Sequence, residues 1–389
     1  MKKIIFCLQT MLLGGVEKEL ITVLKQIHRD FDITLLLLYL DDLEIIKEIP
    51  GDVKIVSANL SKEYFFGSTA HMVKQRIKKG KIFEAASIAC KRCLKIGSTG
   101  SNVNMNAIPA YKDRFDVAIC YHVHSPFLLR YVVEKVNAEK KVAWIHSDFY
   151  GSGYPIQRLK KHVLGYHEFV AVSKKVEHEF SALCPWYPGE VSTAYNYLDV
   201  NEIEALSKEP IDDSCYLDEK ATKILTVGRF SHEKGMDMAI IASSLLKKMD
   251  LDFHWFLVGY GTLEDTYREL IEKYDVGDRV TILGRKKNPY PYIKNCDIYV
   301  QPSRHEAFGL VILEAKILKR PIVCTNFDGA DEQIVNGVNG VIVPVLDTDA
   351  LCRELSDLIR SPERREAFTR ELEKWSPEDD LKEIVKHLE

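Results

Sequence analysis

Short runs of β-branched and aliphatic residues alternate with longer stretches of helical period along the whole chain, and the alternation is completed twice. In the first half KIIFCL, DITLLLL, VKIVSA, DVAICY, KKVAWI and EFVAVS read as strands; in the second half TKILTV, FHWFLV, RVTILG, CDIYVQ, PIVCT and GVIVPV repeat the arrangement. Helices are expected after Gly15, after Pro126 and after Ser173. This order predicts an α/β fold of two doubly wound parallel sheets covered by helices. A chain of 389 residues is too long for one ordinary core, and a prior of roughly 100 to 200 residues per domain also gives two. The acid-rich piece EPIDDSCYLDEK, Glu209 to Lys220, reads as low in structure, which places the hinge between Asn196 and about Ala221.

Composition narrows the class of partner. Hydrophobic content of 46% with 28% charged residues belongs to an ordinary globular protein. The most apolar stretch, ITLLLLYL, is far shorter than the ~20 residues that cross a bilayer. MKKIIFCLQ begins like a signal peptide, but its apolar run stops at Gln9 and no small-residue cleavage site follows, so a strand is expected there. Nine scattered cysteines fit reduced thiols in a cytoplasmic protein better than a disulfide framework. Residues 1 to 200 carry 27 Lys+Arg against 21 Asp+Glu, whereas the remainder carries 26 against 36. The basic surplus is densest in KQRIKKGK, Lys74 to Lys81, and CKRCLK, Cys90 to Lys95. That region fits either a solvated helix face or a surface resting on anionic lipid headgroups at the inner face of the cell membrane. Nucleic acid is not expected, because net charge is negative and no zinc-finger spacing or aromatic-interleaved basic motif occurs.

In open parallel sheets ligands bind beyond the carboxyl ends of the strands. After the first strand, QTMLLGGVEKEL offers Gly14 and Gly15 before a helix, which fits a plain tight turn or an anion or sugar site. After the first strand of the second half, TVGRFSHEKG supplies Gly228, Arg229 and Lys234; two fixed positive charges in one loop can neutralise a diphosphate, though each alone also suits a surface salt bridge. The next strand ends in VGYGTLE, where Gly259 and Gly261 form a GxG without the third glycine of a dinucleotide fingerprint. In EAFGLVILE, Glu306 lies in the loop before a helix expected to start near Phe308 or Gly309. Glu314 then falls about 8 Å further along the helix axis, from 1.5 Å per residue. Unpaired amides at Phe308, Gly309 and Leu310 lie between the two acids and suit a phosphate. Capping by Glu306 and solvation of Glu314 is the plainer alternative.

GRFSHEKG, the GxG and EAFGLVILEA, in that order, resemble the glycosyltransferases of family 4, as do GGVEKE, WIHSD and YNYLD. Ala307 stands where glycine is common in that family, and YNYLD lacks the usual hinge proline or glycine. The resemblance implies a GT-B fold of two facing Rossmann-like domains: residues 1–196 for the acceptor, 197–374 for the nucleotide sugar, and a helix over 375–389 returning to the first. It implies transfer of a hexosyl group, with retention, from a nucleotide diphosphate sugar to a hydroxyl of a saccharide or lipid-linked saccharide in bacterial-type cell-envelope polysaccharide or glycolipid synthesis. UDP-sugar is favoured on family frequency. The catalytic set it implies is Glu306, His146, Arg229 and Lys234, with Arg229 and Lys234 on the diphosphate, Glu314 on the ribose and Glu306 on the sugar hydroxyls. Glu17 and Asp148 would contact the acceptor. No cofactor beyond the co-substrate and no metal is implied; Asp30-Phe-Asp32 and Asp250-Leu-Asp252 read as solubilising turns at the amino ends of strands. A noncatalytic partner subunit is expected to lose some of Arg229, Lys234, Glu306 and Glu314, yet all four are present. An epimerase or phosphorylase of similar architecture is expected to carry a different acid and histidine set or a much longer chain.

Overall fold

The computed structural model describes residues 1–11, 14–40, 45–60, 105, 108, 110–150, 152–375 and 380–389. The basic segment Lys74 to Lys95, with the Cys90 and Cys93 pair, lies outside the described residues. The chain divides into two compact units: residues 1–172 and 176–195 with 381–389, and residues 173–175 with 196–380.

The first unit is built on a parallel sheet in the order β3-β2-β1-β4-β5-β6-β7. Its strands are β1 (Lys3–Leu8), β2 (Asp32–Leu37), β3 (Lys54–Ser57), β4 (Arg114–Cys120), β5 (Asn137–Ile145), β6 (Glu168–Ala171) and β7 (Glu190–Thr193). β1 and β2 read as near-continuous apolar runs because both faces of a parallel strand are covered; from Ile4 to Leu8 and from Ile33 to Leu37 every residue is buried. The helices Gly15–Ile27, Pro126–Lys135 and Lys174–Leu183 start at the three expected places. The seventh strand, EVST, was not foreseen: it is short and polar and lies at the sheet edge, so it carries no apolar run to announce it.

The second unit has the order β10-β9-β8-β11-β12-β13, from β8 (Thr222–Val227), β9 (Phe253–Val258), β10 (Val280–Gly284), β11 (Ile298–Gln301), β12 (Ile322–Thr325) and β13 (Gly340–Val343). All six correspond to the expected runs. Its core joins Trp255, Phe253 and Val300 of the sheet to Ile240, Leu246, Leu351 and Leu355 of the helices Met236–Lys248 and Thr348–Arg360. The segment Glu209–Lys220 is no loose linker, contrary to the expectation. It holds a helical turn, Ser214–Leu217, whose Tyr216 is fully buried and donates to the Tyr292 carbonyl at 2.6 Å. One buried aromatic outweighs the acidic composition that suggested a linker.

In each sheet the order reverses beside the first strand, between β1 and β4 and between β8 and β11. Loops leaving such a pair diverge to opposite sides and open a crevice at the carboxyl ends. No helix among the described residues is long and apolar enough to cross a membrane.

Candidate functional site

In the second unit the loops after β8 and β11 carry the expected residues to one place. Lys234 closes a single turn, His232–Lys234, and its ammonium pairs with the Glu306 carboxylate. Glu306 also accepts from the Ser303 hydroxyl at 2.9 Å and the Gln301 amide at 3.5 Å. Gln301 donates to Ser303 at 2.8 Å and accepts from Tyr299 at 3.0 Å. Tyr299, Gln301 and Ser303 are all fully buried, so a continuous polar chain rises through the core and ends on Glu306. Alternate residues of β11 point to one face, which aligns 299 and 301, and Ser303 follows two residues beyond the strand's end.

Of the two fixed positive charges in this loop, Lys234 is already paired with Glu306. Arg229 is exposed; together with the Ser231 hydroxyl, the larger influence, it holds the Glu233 carboxyl below its usual range. A second ion pair, invisible as a motif, ties the two loops together. Arg304 grips the Asp237 carboxylate at 2.8 and 2.6 Å and donates to the His232 carbonyl at 2.8 Å. Gly235 sits between them at φ +65, and a Cβ there would overlap the Pro302 carbonyl oxygen. Gly228, Gly259 and Gly261 are drawn into the same backbone stitching: the Gly228 carbonyl lies against Gly259, and Phe230 against Gly261. This close approach gives both residues of the GxG a packing reason to be glycine.

Gly309, at φ +83, precedes the helix Leu310–Ile317, and no side chain caps its first turn. The positive dipole end and the leading amides therefore face a position an anion can fill. Phe308 is buried, and Ala307 does not need the left-handed backbone, so alanine is tolerated where the related pattern has glycine. Glu314 is the fifth residue of the helix and accepts from the Tyr290 hydroxyl at 3.3 Å. Burial, then the Glu314 charge, pushes the Tyr290 phenol well up.

In the first unit Gly14 caps the helix Gly15–Ile27 in extended backbone, and the Glu17 carboxylate folds back against it. Buried Glu19, one helical turn from Gly15, accepts from the buried Tyr121 hydroxyl just beyond β4. The Tyr121 ring lies 4.5 Å from that of His146, the first residue after β5. His146 is buried and its Nε2 has no hydrogen-bond partner among the described residues. Burial first, and then His122 and His124, hold its pKa well below the ordinary histidine value, so the imidazole is neutral at neutral pH. His124 is pushed down to about 4 mainly by burial; its Nε2 meets the carbonyl of buried Asp148 at 3.1 Å. Sequence reading found His146 and Asp148 but passed over His122, His124, Glu19 and Tyr121, although CYHVHS marks a strand's carboxyl end. Asp32 opens β2, and Asp250 and Asp252 immediately precede β9, so both Asp-x-Asp triplets sit at amino ends of strands.

Residues 207–375 match the family model of glycosyl transferases group 1. Among curated proteins the chain is similar to the alpha-D-kanosaminyltransferase of Streptomyces kanamyceticus, 32% identical over 145 residues, 37% of this chain and 38% of that protein. It is also similar to the N-acetylgalactosamine-N,N'-diacetylbacillosaminyl-diphospho-undecaprenol 4-alpha-N-acetylgalactosaminyltransferase of Campylobacter jejuni, 27% identical over 182 residues, 46% and 47% of the two chains. The matches thus span less than half of either relative. Anabaena HepE in complex with UDP-glucose superposes with a TM-score of 0.71 at 17% identity, covering 100% of this chain and 99% of that one, a likeness of fold. The chain has the GT-B fold, two Rossmann-like parallel-sheet domains, and its second unit carries the glycosyl transferases group 1 match.

Proposed function

We propose that the protein is a retaining glycosyltransferase that moves a hexosyl group from a nucleotide diphosphate sugar, UDP-sugar favoured, to a hydroxyl of a saccharide or lipid-linked saccharide. The observation that carries this reading is the Lys234 and Glu306 pair at the β8/β11 reversal, beside the uncapped start of the helix that bears Glu314. Arg229, Lys234 and the amides of Phe308 to Leu310 bind the diphosphate, with Gly228, Gly259 and Gly261 letting the loops lie close. Glu314 turns from Tyr290 to the ribose hydroxyls, and Glu306 holds a sugar hydroxyl while keeping Lys234 in place. As the bond from C1 of the sugar to the phosphate oxygen breaks, negative charge grows on the diphosphate, where fixed positive groups stabilise it by several kcal/mol in a dry site. The acceptor hydroxyl attacks from the same face, and its proton passes to the departing phosphate oxygen. Neutral His146 hydrogen-bonds the sugar without adding charge, Gly14 and Gly15 let the backbone approach the diphosphate sugar, and Glu17 and Asp148 contact the acceptor. These cationic groups take the place of a divalent ion, so the reaction is metal-independent.

The names of the relatives, a kanosaminyltransferase and an N-acetylgalactosaminyltransferase named for a diphospho-undecaprenol acceptor, support a place in glycan assembly. Contact of Lys74 to Lys95 with anionic lipid belongs to the same proposal and requires binding to anionic vesicles at low salt. The decisive experiment screens sugar nucleotides for thermal stabilisation and for transfer, with and without EDTA. One nucleotide diphosphate sugar should raise the melting temperature and be turned over equally in both. Loss of turnover with chelator, or no stabilisation by any of them, defeats the reading.

A further inference from the structure

Gln333 ends the short helix Ala330–Gln333 and is 4% exposed. Its Nε2 donates to the Phe308 carbonyl and, at 3.5 Å, to that of Gly309. Only an NH2 group can serve two carbonyls, which turns Oε1 the other way. There Oε1 is buried with no hydrogen-bond partner among the described residues. A buried, unpaired amide oxygen is destabilising, so stability alone does not account for glutamine at this position.

The peptide plane supplies the reason. In a trans peptide the C=O and the following N–H point in opposite directions. Holding the Phe308 carbonyl towards Gln333 therefore turns the Gly309 N–H away from it, and the longer contact to the Gly309 carbonyl does the same for the Leu310 N–H. These amides lead the uncapped helix Leu310–Ile317. Gly309 is further confined by the Phe327 ring, whose Cζ would lie 2.9 Å from a Cβ placed there. The loop is thus held from one side with its donors aimed to the other, which spares the reorganisation an anion would otherwise have to drive.

We infer that Gln333 is a positioning residue that aims the Gly309 and Leu310 amides at the diphosphate of the nucleotide donor. This rests on the functional reading above. The test compares the affinity of UDP, or of GDP where UDP does not bind, with that of the matching nucleoside, in wild type, Gln333→Met and Gln333→Glu. In Gln333→Met the diphosphate should bind about tenfold more weakly, the loss of one charge-assisted hydrogen bond, while the nucleoside binds as before. Its melting temperature should change little, because the unpaired Oε1 leaves while the Phe308 carbonyl loses its donor. Gln333→Glu sets a carboxylate against the two carbonyls and should weaken the diphosphate at least as much; it carries the test if the methionine variant does not fold. Equal losses for diphosphate and nucleoside, or unchanged diphosphate binding in both variants, overturns the inference alone. A wild-type protein that binds neither UDP nor GDP overturns the functional reading and this inference with it.

Discussion

Lys234 and Glu306 act as one unit. An ammonium and a carboxylate in contact attract by about 4 kcal/mol at the effective dielectric of a protein surface, and here Glu306 is further fixed by Ser303 and Gln301. Removing either member releases the other, so Lys234→Ala and Glu306→Ala should each cut turnover at least about a hundredfold with the fold intact. The double variant should lose much less than the product of the two. Initial rates with a fixed donor, beside a melting curve, decide it; additive losses would mean the pair is not a unit. Both residues were legible as a motif, because charge in a loop after a strand is visible in the sequence. Their supports were not. Arg304 and Asp237 are 67 residues apart, and the Gln333 amide reaches back 25 residues to the Phe308 carbonyl; such contacts are set by strand order, which no local spacing records. The histidines give a residue-scale prediction with a sign. His124 and His146 have folded pKa values below 6.5, so folding favours the neutral form. The stability they hold is full above pH 6.5 and is lost as pH falls, for His124 down to about 4, by up to about 1.4 kcal/mol per pH unit for each histidine. The Asp148 carbonyl opposes this on His124, but burial outweighs it. Melting curves between pH 7.5 and 5 should show the decline, and it should be reduced in His124→Gln; a flat profile contradicts the assignment.

At the scale of elements, the strands were legible where they are apolar and failed where they are not. β7 is an edge strand of mixed polarity, and the turn at Tyr216 carries one buried aromatic in an acidic context. The loops between strands depend instead on backbone geometry. Gly235 and Gly284 make a controlled pair, since both have positive φ, +65 and +73, but a Cβ at Gly235 would overlap the Pro302 carbonyl whereas nothing lies within 4 Å of one at Gly284. Gly284→Ala should therefore cost only the backbone strain, of order 1 kcal/mol. Gly235→Ala should cost clearly more and should also weaken donor binding, because it pushes the Lys234 turn off β11. Denaturant midpoints of the two variants make the comparison; equal shifts would show that the close approach is relieved at no cost.

On the scale of the whole chain, the feature the sequence announced only through resemblance is that the last nine residues, Leu381–Glu389, belong to the first unit. Its attachment is specific. Ile384 and Leu388 are buried, and His387 pairs with Glu168, a carboxylate 3% exposed on β6 that also meets Lys140 at 3.2 Å and accepts from Ser192 at 3.2 Å. Burial works to raise the Glu168 pKa, but His387 and Lys140 together pull it below 4.5. A depressed carboxylate contributes stability above its unfolded pKa and loses it as pH falls below about 4.5, so acid should loosen this helix. Removing the carboxylate should do the same at neutral pH. Stripping one partner from a buried pair costs about 3–5 kcal/mol when the other stays charged and dry. Here His387 can shed its proton and Lys140 is one-third exposed, which brings the expected cost of Glu168→Ala down to about 1–3 kcal/mol. That corresponds to amide exchange in the helix Asp380–Leu388 faster by about five- to 150-fold, if the helix opens as a local unit. Leu388→Ala, which opens a cavity instead of breaking an ion pair, should accelerate the same amides at neutral pH as well as in acid. The two variants therefore separate by pH: as pH falls below 4.5 the excess exchange of Glu168→Ala over wild type should shrink steadily, while that of Leu388→Ala should persist. Exchange at neutral pH that is unchanged in Glu168→Ala would show that apolar packing alone holds the terminal helix.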